Sequence, residues 1–337
     1  MLHGMRGSRR VPSAPGFTVI EMLAAMAILA VILTVIFGIT QQTGNAWRST
    51  NAKIDAFQSA RAAFETISQT LGQATLNGYF DYYDLAGNRR TAANASGFTP
   101  ASYGRYSDLH FKSGKSIVSG QVSHAVFFQT PAGYSETSAS QGMDTLLNAC
   151  GYYVTYEADP ARPAFLDDLP NPPSVRYRYR LMHFLQPSEE MSVYAANTGS
   201  AWVDDALAAD PAPVRQLAEN IIALIVLPHR AANDPGNDLA PLYEYDTRSG
   251  SSRPQAATQH QLPPLVDIVM VAIDEVSARR LENGAVAPDL GVAGLFSSAS
   301  NLEADLAALE SSLSSRRIGH RIFRTTVALR NAKWSSS

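Results

Sequence analysis

A single cysteine, Cys150, is present in 337 residues. It can form no intramolecular disulfide and no thiolate metal cluster, so an ordinary apolar core must supply stability whatever the redox compartment. An excess of one charge is missing too. The 27 Lys and Arg residues stand against 30 Asp and Glu, net -3, which argues against a nucleic-acid binder working through a strongly basic surface. No nucleic-acid partner is expected. Signature motifs of catalysis are absent: there is no P-loop, G-x-G-x-x-G, H-E-x-x-H, G-x-S-x-G or C-x-x-C. The seven histidines are scattered at 3, 110, 124, 183, 229, 260 and 320, none at i, i+4 spacing with another. Each reads as a surface or satisfied core residue. The carboxylate pairs Asp167-Asp168, Glu189-Glu190 and Asp204-Asp205 are adjacent in sequence, and neighbours on a strand point to opposite faces. No catalytic residue, metal site or cofactor is therefore expected, and the chain is not read as an enzyme. Cys150 reads as a small buried hydrophobe.

Long apolar runs are also lacking, with one exception. The slightly negative mean hydropathy excludes several membrane spans, yet Met22 to Ile39 reads MLAAMAILAVILTVIFGI, with Thr34 its one polar member. Phe17 to Glu21 extends the run and adds one charge, Glu21. At about 1.5 Å per residue this covers a hydrocarbon core of roughly 30 Å. The run is apolar all round, where a soluble surface helix would show a polar face. A transmembrane helix over 17–40 is expected, with a buried core helix as the alternative. Arg6, Arg9 and Arg10 precede it, so the positive-inside bias keeps the N-terminus in the cytoplasm and exports the body. A cleaved secretory signal would need a shorter apolar stretch and a small-residue cleavage site; Phe37 to Gln41 offers none. A twin-arginine signal could be argued from Ser8-Arg9-Arg10, but Pro12 and Ser13 stand where such signals carry bulky apolar residues.

Residues 16 to 22, Gly-Phe-Thr-Val-Ile-Glu-Met, follow this basic leader and run straight into the span. The arrangement resembles the processing site of type IV pilins and of the pseudopilins of type II secretion. The resemblance implies a leader at 1–16, cleavage after Gly16 by a membrane aspartyl prepilin peptidase, and methylation of the new amine on Phe17. It also implies that Glu21, fifth in the mature chain, meets that amine on a neighbouring subunit during assembly. Independently of the family, an acid inside a span costs about 2.5–3.5 kcal/mol near a helix centre and is a functional-site candidate by default; the bland reading is an interfacial residue snorkelling to water. Gly38 stands where many pilins carry a helix-loosening proline. Glycine weakens a helix interior by about 1 kcal/mol, so either local flexibility or close helix packing is expected there.

After the span, Trp47, Ile54, Phe57, Phe64, Ile67 and Leu71 form one helical stripe, with Asn51, Lys53, Asp55, Gln58 and Glu65 largely off it. An amphipathic extension over 41–76 is expected. A coiled-coil stalk is the weaker alternative, since Arg61 interrupts the seam. The stretch 43–84, especially TNAKIDAF, ARAAFE and QATLN, is similar to the Verru-Chthon cassette protein C family of pilin-like proteins. In pilins the extension packs on an antiparallel sheet of the same chain.

Residues 77–106 are rich in Gly, Asn, Ser and Tyr and read as an irregular connection. An exported β-rich domain over 107–334 follows, with strands expected at 108–112, 122–130, 151–156, 175–185, 220–227, 242–246, 265–274 and 322–329. Helices are expected at 275–282, 301–313 and 201–208. The fold class is thus α+β: a long N-terminal helix packed on an antiparallel sheet, pilin-like. Near the end, RQLAENIIALIVLP, YEYD, PPLVDIVMVAIDE and RIFRTTVALRNAKW resemble in their order the larger minor pseudopilins. Within 175–185, alternation puts Arg176, Arg178 and Arg180 on one face, read as solvated, with contact to an anionic partner or polysaccharide as the alternative. Asn233, Asp234, Asn237 and Asp238 could ligate calcium or simply turn the chain.

The resemblance implies a pilin-like minor subunit working with prepilin peptidase, other pilin-like subunits and inner-membrane lipid. It would be single-pass, with the N-terminus cytoplasmic and the body periplasmic or extracellular. The competing reading is a membrane-anchored periplasmic hydrolase or binding protein with the helix as passive tether.

Overall fold

Strands covered on both faces read in sequence as unbroken apolar runs, while strands wet on one face alternate. In a computed structural model describing residues 18–140, 142–159, 162–194, 201–230, 239–249 and 255–334, with backbone alone at 45, 46 and 48–56, both kinds occur. The chain divides into two units, residues 1–51 and 52–337. Helix α1, Val19–Leu71, begins in the first and ends in the second.

The second unit is built on two antiparallel sheets and a two-stranded ribbon. The large sheet has the order β7-β6-β5-β4-β3-β9, with β3 Lys112–Gly114, β4 Ala125–Pro131, β5 Leu147–Ala158, β6 Tyr177–Gln186, β7 Val214–Glu219 and β9 Tyr245–Asp246. The small sheet has the order β11-β10-β8, with β8 Ile221–His229, β10 Leu265–Ile273 and β11 His320–Ala328. The ribbon pairs β1 Tyr79–Tyr83 with β2 Ser102–Tyr106. Three short helices complete it: α2 Ala201–Leu207, α3 Glu275–Leu281 and α4 Leu302–Ser315. The α+β class is as expected, with antiparallel sheets beside a long N-terminal helix.

Apolar clusters lie on both faces of the large sheet. Val126, Phe128, Cys150, Tyr152, Val154 and Leu181 face the small sheet and the end of α1. Ala125, Phe127, Ala149, Tyr153, Met182 and Phe184 face α2, whose Trp202 is fully buried against them. Gly151 pairs with Phe127 across β4 and β5. A Cβ at Gly151 would lie 2.3 Å from the Phe127 ring, so glycine is the residue that admits that ring.

The last turns of α1 supply Ala60, Ala63, Phe64, Ile67 and Leu71 to this core, as the stripe predicts. Full burial of each large side chain stabilises by about 1.5–3 kcal/mol. Arg61 and Glu65 lie off the stripe, exposed, and pair at 2.8 Å. The helix stops at Leu71 rather than running to 76, because Gly72 begins a turn closed by Gln73 N–H to Thr70 O and Ala74 N–H to Leu71 O. Thr75 N–H then donates to Gln129 O on β4 at 2.9 Å, so the chain leaves the helix by joining the large sheet.

Residues 77–106 are not an irregular connection throughout: β1 and β2 lie at its two ends, paired over five residues. Their glycine- and asparagine-rich intervening segment masks the pairing. Strand β7 is a second departure. The run RQLAENIIALIVLP divides at Asn220, whose φ of 63° is a left-handed value that asparagine tolerates. One residue thereby sends β7 to the large sheet and β8 to the small one.

Candidate functional site

Residues Val19–Gly44 form a stretch long and apolar enough to cross a membrane, with none of its most apolar window buried. Within it, hydroxyls find partners on the helix itself: Thr34 Oγ1 donates to Ala30 O at 2.8 Å and Thr40 Oγ1 to Ile36 O at 2.9 Å. Such bonds leave neither hydroxyl unpaired, as a hydrocarbon surrounding would require. The backbone is helical through Gly38, and nothing lies within 4 Å of the position a Cβ would take there. Gly16 and Phe17 lie outside the described residues.

Glu21 is exposed in the first turn of α1. Its Oε2 accepts from Thr18 N–H at 2.8 Å and from Thr18 Oγ1 at 3.0 Å, while Glu21 N–H donates to Thr18 Oγ1 at 3.3 Å. This is a reciprocal capping box, in which a threonine and a glutamate three residues on satisfy each other's otherwise orphaned N–H groups. Thr18 is a site residue that the sequence reading passed over, although T-x-x-E before an apolar run is its signature. Glu21 therefore closes the helix end within its own chain, and its carboxylate is held at the start of the apolar stretch.

In the body, several titratable groups are buried and hydrogen-bonded. His124 Nδ1 accepts from Val226 N–H at 3.2 Å and its other nitrogen faces Phe296 O at 3.2 Å. With Ser123 Oγ accepting from Leu224 N–H at 2.8 Å, it closes the free edge of β8. Burial pushes His124 down to about 4. Trp202 Nε1–H donates to His110 Nδ1 at 2.9 Å, and His110 Nε2 meets Asp246 Oδ1 at 2.8 Å. The His110 pair holds the Asp246 carboxyl down to about 2 against the opposing effect of burial, which is the largest influence on it. Cys150, fully buried, lies 3.3 Å from His183 Nε2. Burial pushes the thiol up to about 12 and the imidazole down to about 4. At neutral pH the pair is uncharged, the opposite of an activated thiolate.

Arg178 and Arg180 do not form a solvated face. Their side chains are 2% and 0% exposed. Arg178 pairs with Glu282 and lies 3.6 Å from Glu275, both from the α3 region. Arg180 donates to Gln216 at 2.6 Å, to Glu219 at 3.3 Å and to the carbonyls of Glu157 and Ala158. Arg176, half-exposed, pairs with Glu219 at 2.5 Å. Alternation correctly groups the three, but carboxylates delivered by β7 and α3 cover the face, and a buried guanidinium persists only when paired in this way.

Among the described residues no group of three His, Cys, Asp or Glu side chains could hold a metal ion. The loop at 233–238 lies outside the described residues. The chain matches no protein-family model, no curated protein and no solved structure.

Proposed function

We propose that this chain is a pilin-like structural subunit, cut after Gly16, methylated on Phe17 and built through its N-terminal helix into a filament of the type IV pilus or type II secretion class. The observation that carries the reading is the position of Glu21: a lone carboxylate in the first turn of an otherwise apolar span, four residues from the amine that cleavage would create. In an assembly the apolar surface left bare on Val19–Gly44 would be covered by lipid or by sister helices. Glu21 would then exchange its Thr18 contact for the amine of a neighbour. The distal turns of α1, packed by Phe64, Ile67 and Leu71, would carry the body on that stem.

Mass spectrometry of membrane-extracted protein tests this. An N-terminal methyl-phenylalanine at Phe17 is the expected species. An intact Met1, or a cut beyond Thr40, would sink the proposal and leave the helix as a passive tether.

A further inference from the structure

Strand β11 ends the small sheet on one side, and β10 alone pairs with it among the described residues. Bonds just past the two ends of this ladder fix its phase. Leu329 N–H donates to Pro264 O at 3.1 Å and Asp274 N–H to Gly319 O at 2.8 Å, continuing the register that sets Leu265 against Ala328 and Ile273 against His320. In an antiparallel pair, residues that bond across the ladder alternate with residues whose N–H and C=O turn away from it. The odd-numbered residues of β11 therefore bond to β10. His320, Ile322, Arg324, Thr326 and Ala328 turn five N–H and five C=O groups to the free edge, and none of these has a hydrogen-bond partner among the described residues.

Elements pack against both faces of the strand while its edge stays bare. Phe64 of α1 meets Phe323 at 5.8 Å, and Glu303 of α4 pairs with Arg324 at 2.5 Å on the other face. A row of unused main-chain groups is a template for one more strand. Its charge is of one sign: residues 316–334 carry six Lys and Arg and no Asp or Glu. Arg324 is engaged by Glu303 and, at 3.9 Å, by Asp267. Arg321 is exposed, has no ion pair among the described residues, and lies 5.5 Å from the centre of the Phe323 ring. These charges choose between occupants. Two copies paired antiparallel about the middle of the strand would set Arg324 against Arg324, and like charges directly opposite destabilise a sheet. An acidic strand meets the same arginines with the opposite sign.

We propose that the free edge of β11 receives an extended acidic segment of a partner protein as a fourth strand of the small sheet. Main-chain bonds from His320 to Ala328 hold the segment whatever its sequence, because every residue offers the same N–H and C=O. Arg321, with Arg316, Arg317 and Arg330 close to it along the chain, selects acidic side chains. This contact is separate from the helix packing proposed above, and it needs no cleavage at Gly16.

The test titrates the full-length chain, in nanodiscs of zwitterionic lipid, into two labelled peptides as long as β11 with blocked ends, one alternating valine with glutamate and the other valine with lysine, and reads fluorescence anisotropy. The glutamate peptide should bind about tenfold more tightly or better, with the difference shrinking as salt is raised. Carbon-13 carbonyl labels in it should show a β-sheet amide band once bound. Thr326→Pro removes one outward N–H and no bond to β10, at a kind of position where an edge strand tolerates proline. It should weaken the glutamate peptide by about tenfold, since the ring obstructs the incoming strand. Thr326→Val, which loses only the hydroxyl bond to Asp267, should bind as wild type. Arg321→Gln should weaken the glutamate peptide severalfold and leave the lysine peptide no weaker. Failure of the glutamate peptide to bind, equal binding by the two peptides, or wild-type binding by Thr326→Pro would overturn the proposal. A bound peptide without the β-sheet band would do the same even if Thr326→Pro did not fold. So would a dimer of the chain that Thr326→Pro dissolves while the glutamate peptide stays unbound, because β11 would then pair with itself.

Discussion

Glutamine at position 21 separates the two roles that Glu21 can play. Within the chain, Glu21 caps the helix through Thr18 at 2.8 Å and 3.0 Å, and loss of such a cap costs about 1 kcal/mol. Glutamine also serves at this position of a capping box, so Glu21→Gln keeps most of that term, whereas Glu21→Ala removes it. Between subunits, the proposed partner is a charged amine. Two opposite charges about 4 Å apart at an effective dielectric of about 20 attract by about 4 kcal/mol, roughly a thousandfold in an equilibrium constant. Glutamine forfeits nearly all of it. The expected order in an assembly assay, by cross-linking in membranes and recovery of sheared filaments, is therefore a large loss for both Glu21→Gln and Glu21→Ala. Thr18→Val, which deletes the hydroxyl but keeps the charge, should lower assembly by less than about tenfold. Processing at Gly16, read by mass, should persist in all three. Wild-type assembly by Glu21→Gln would refute the charge-pairing argument and leave capping as the whole of what this residue does.

Three further outcomes follow from the body. Gly151→Ala drives a methyl into the Phe127 ring and should lower stability by roughly 1–3 kcal/mol in denaturant melts, with Phe127→Leu restoring part of the loss; unchanged stability would contradict the packing described. Glu282→Gln strips Arg178 of its nearer carboxylate while Glu275 remains at 3.6 Å, so the cost should be about 2 kcal/mol, below the 3–5 kcal/mol of a fully buried pair. The histidines set a pH dependence: His124 and His183 are held down to about 4, chiefly by burial, while in the unfolded chain they charge near 6.5. The unfolded state therefore binds up to two more protons in this window, and stability should fall as pH drops from about 6.5 to 4, by at most about 1.4 kcal/mol per proton per pH unit. Replacing both with Gln should flatten that slope, measured by thermal melting across pH.

Much of this architecture is legible in the residues. An apolar run without a polar face announces a helix long and apolar enough to cross a membrane, and the stripe through Phe57, Phe64, Ile67 and Leu71 announces a helix that must pack. Strands β5, β6, β8, β10 and β11 stand out because β-branched and aromatic residues cluster there. Strand β7 does not, since its residues run on into β8 and the boundary is a backbone angle at Asn220 rather than a change of composition. The ribbon is hidden because exposed strands on a glycine- and asparagine-rich background carry no apolar alternation. For the arginines, periodicity tells which side chains share a face. What covers that face comes from Glu219, about forty residues away, and from Glu275 and Glu282, about a hundred away, and no local pattern reaches so far. The capping box was readable, but its use emerges only once the Thr18 and Glu21 contacts are seen.

Asn220 has a consequence for how the two sheets keep register. Because one residue joins β7 to β8, little chain separates the two sheets. A slip of β8 by one place against β10 would have to be taken up in the irregular pairings that flank Asn220, at Val271/Ala272 and at Leu181/Met182, or be passed on to the pairing of β7 with β6. The registers of the two sheets are thus set together, through a joint of one residue.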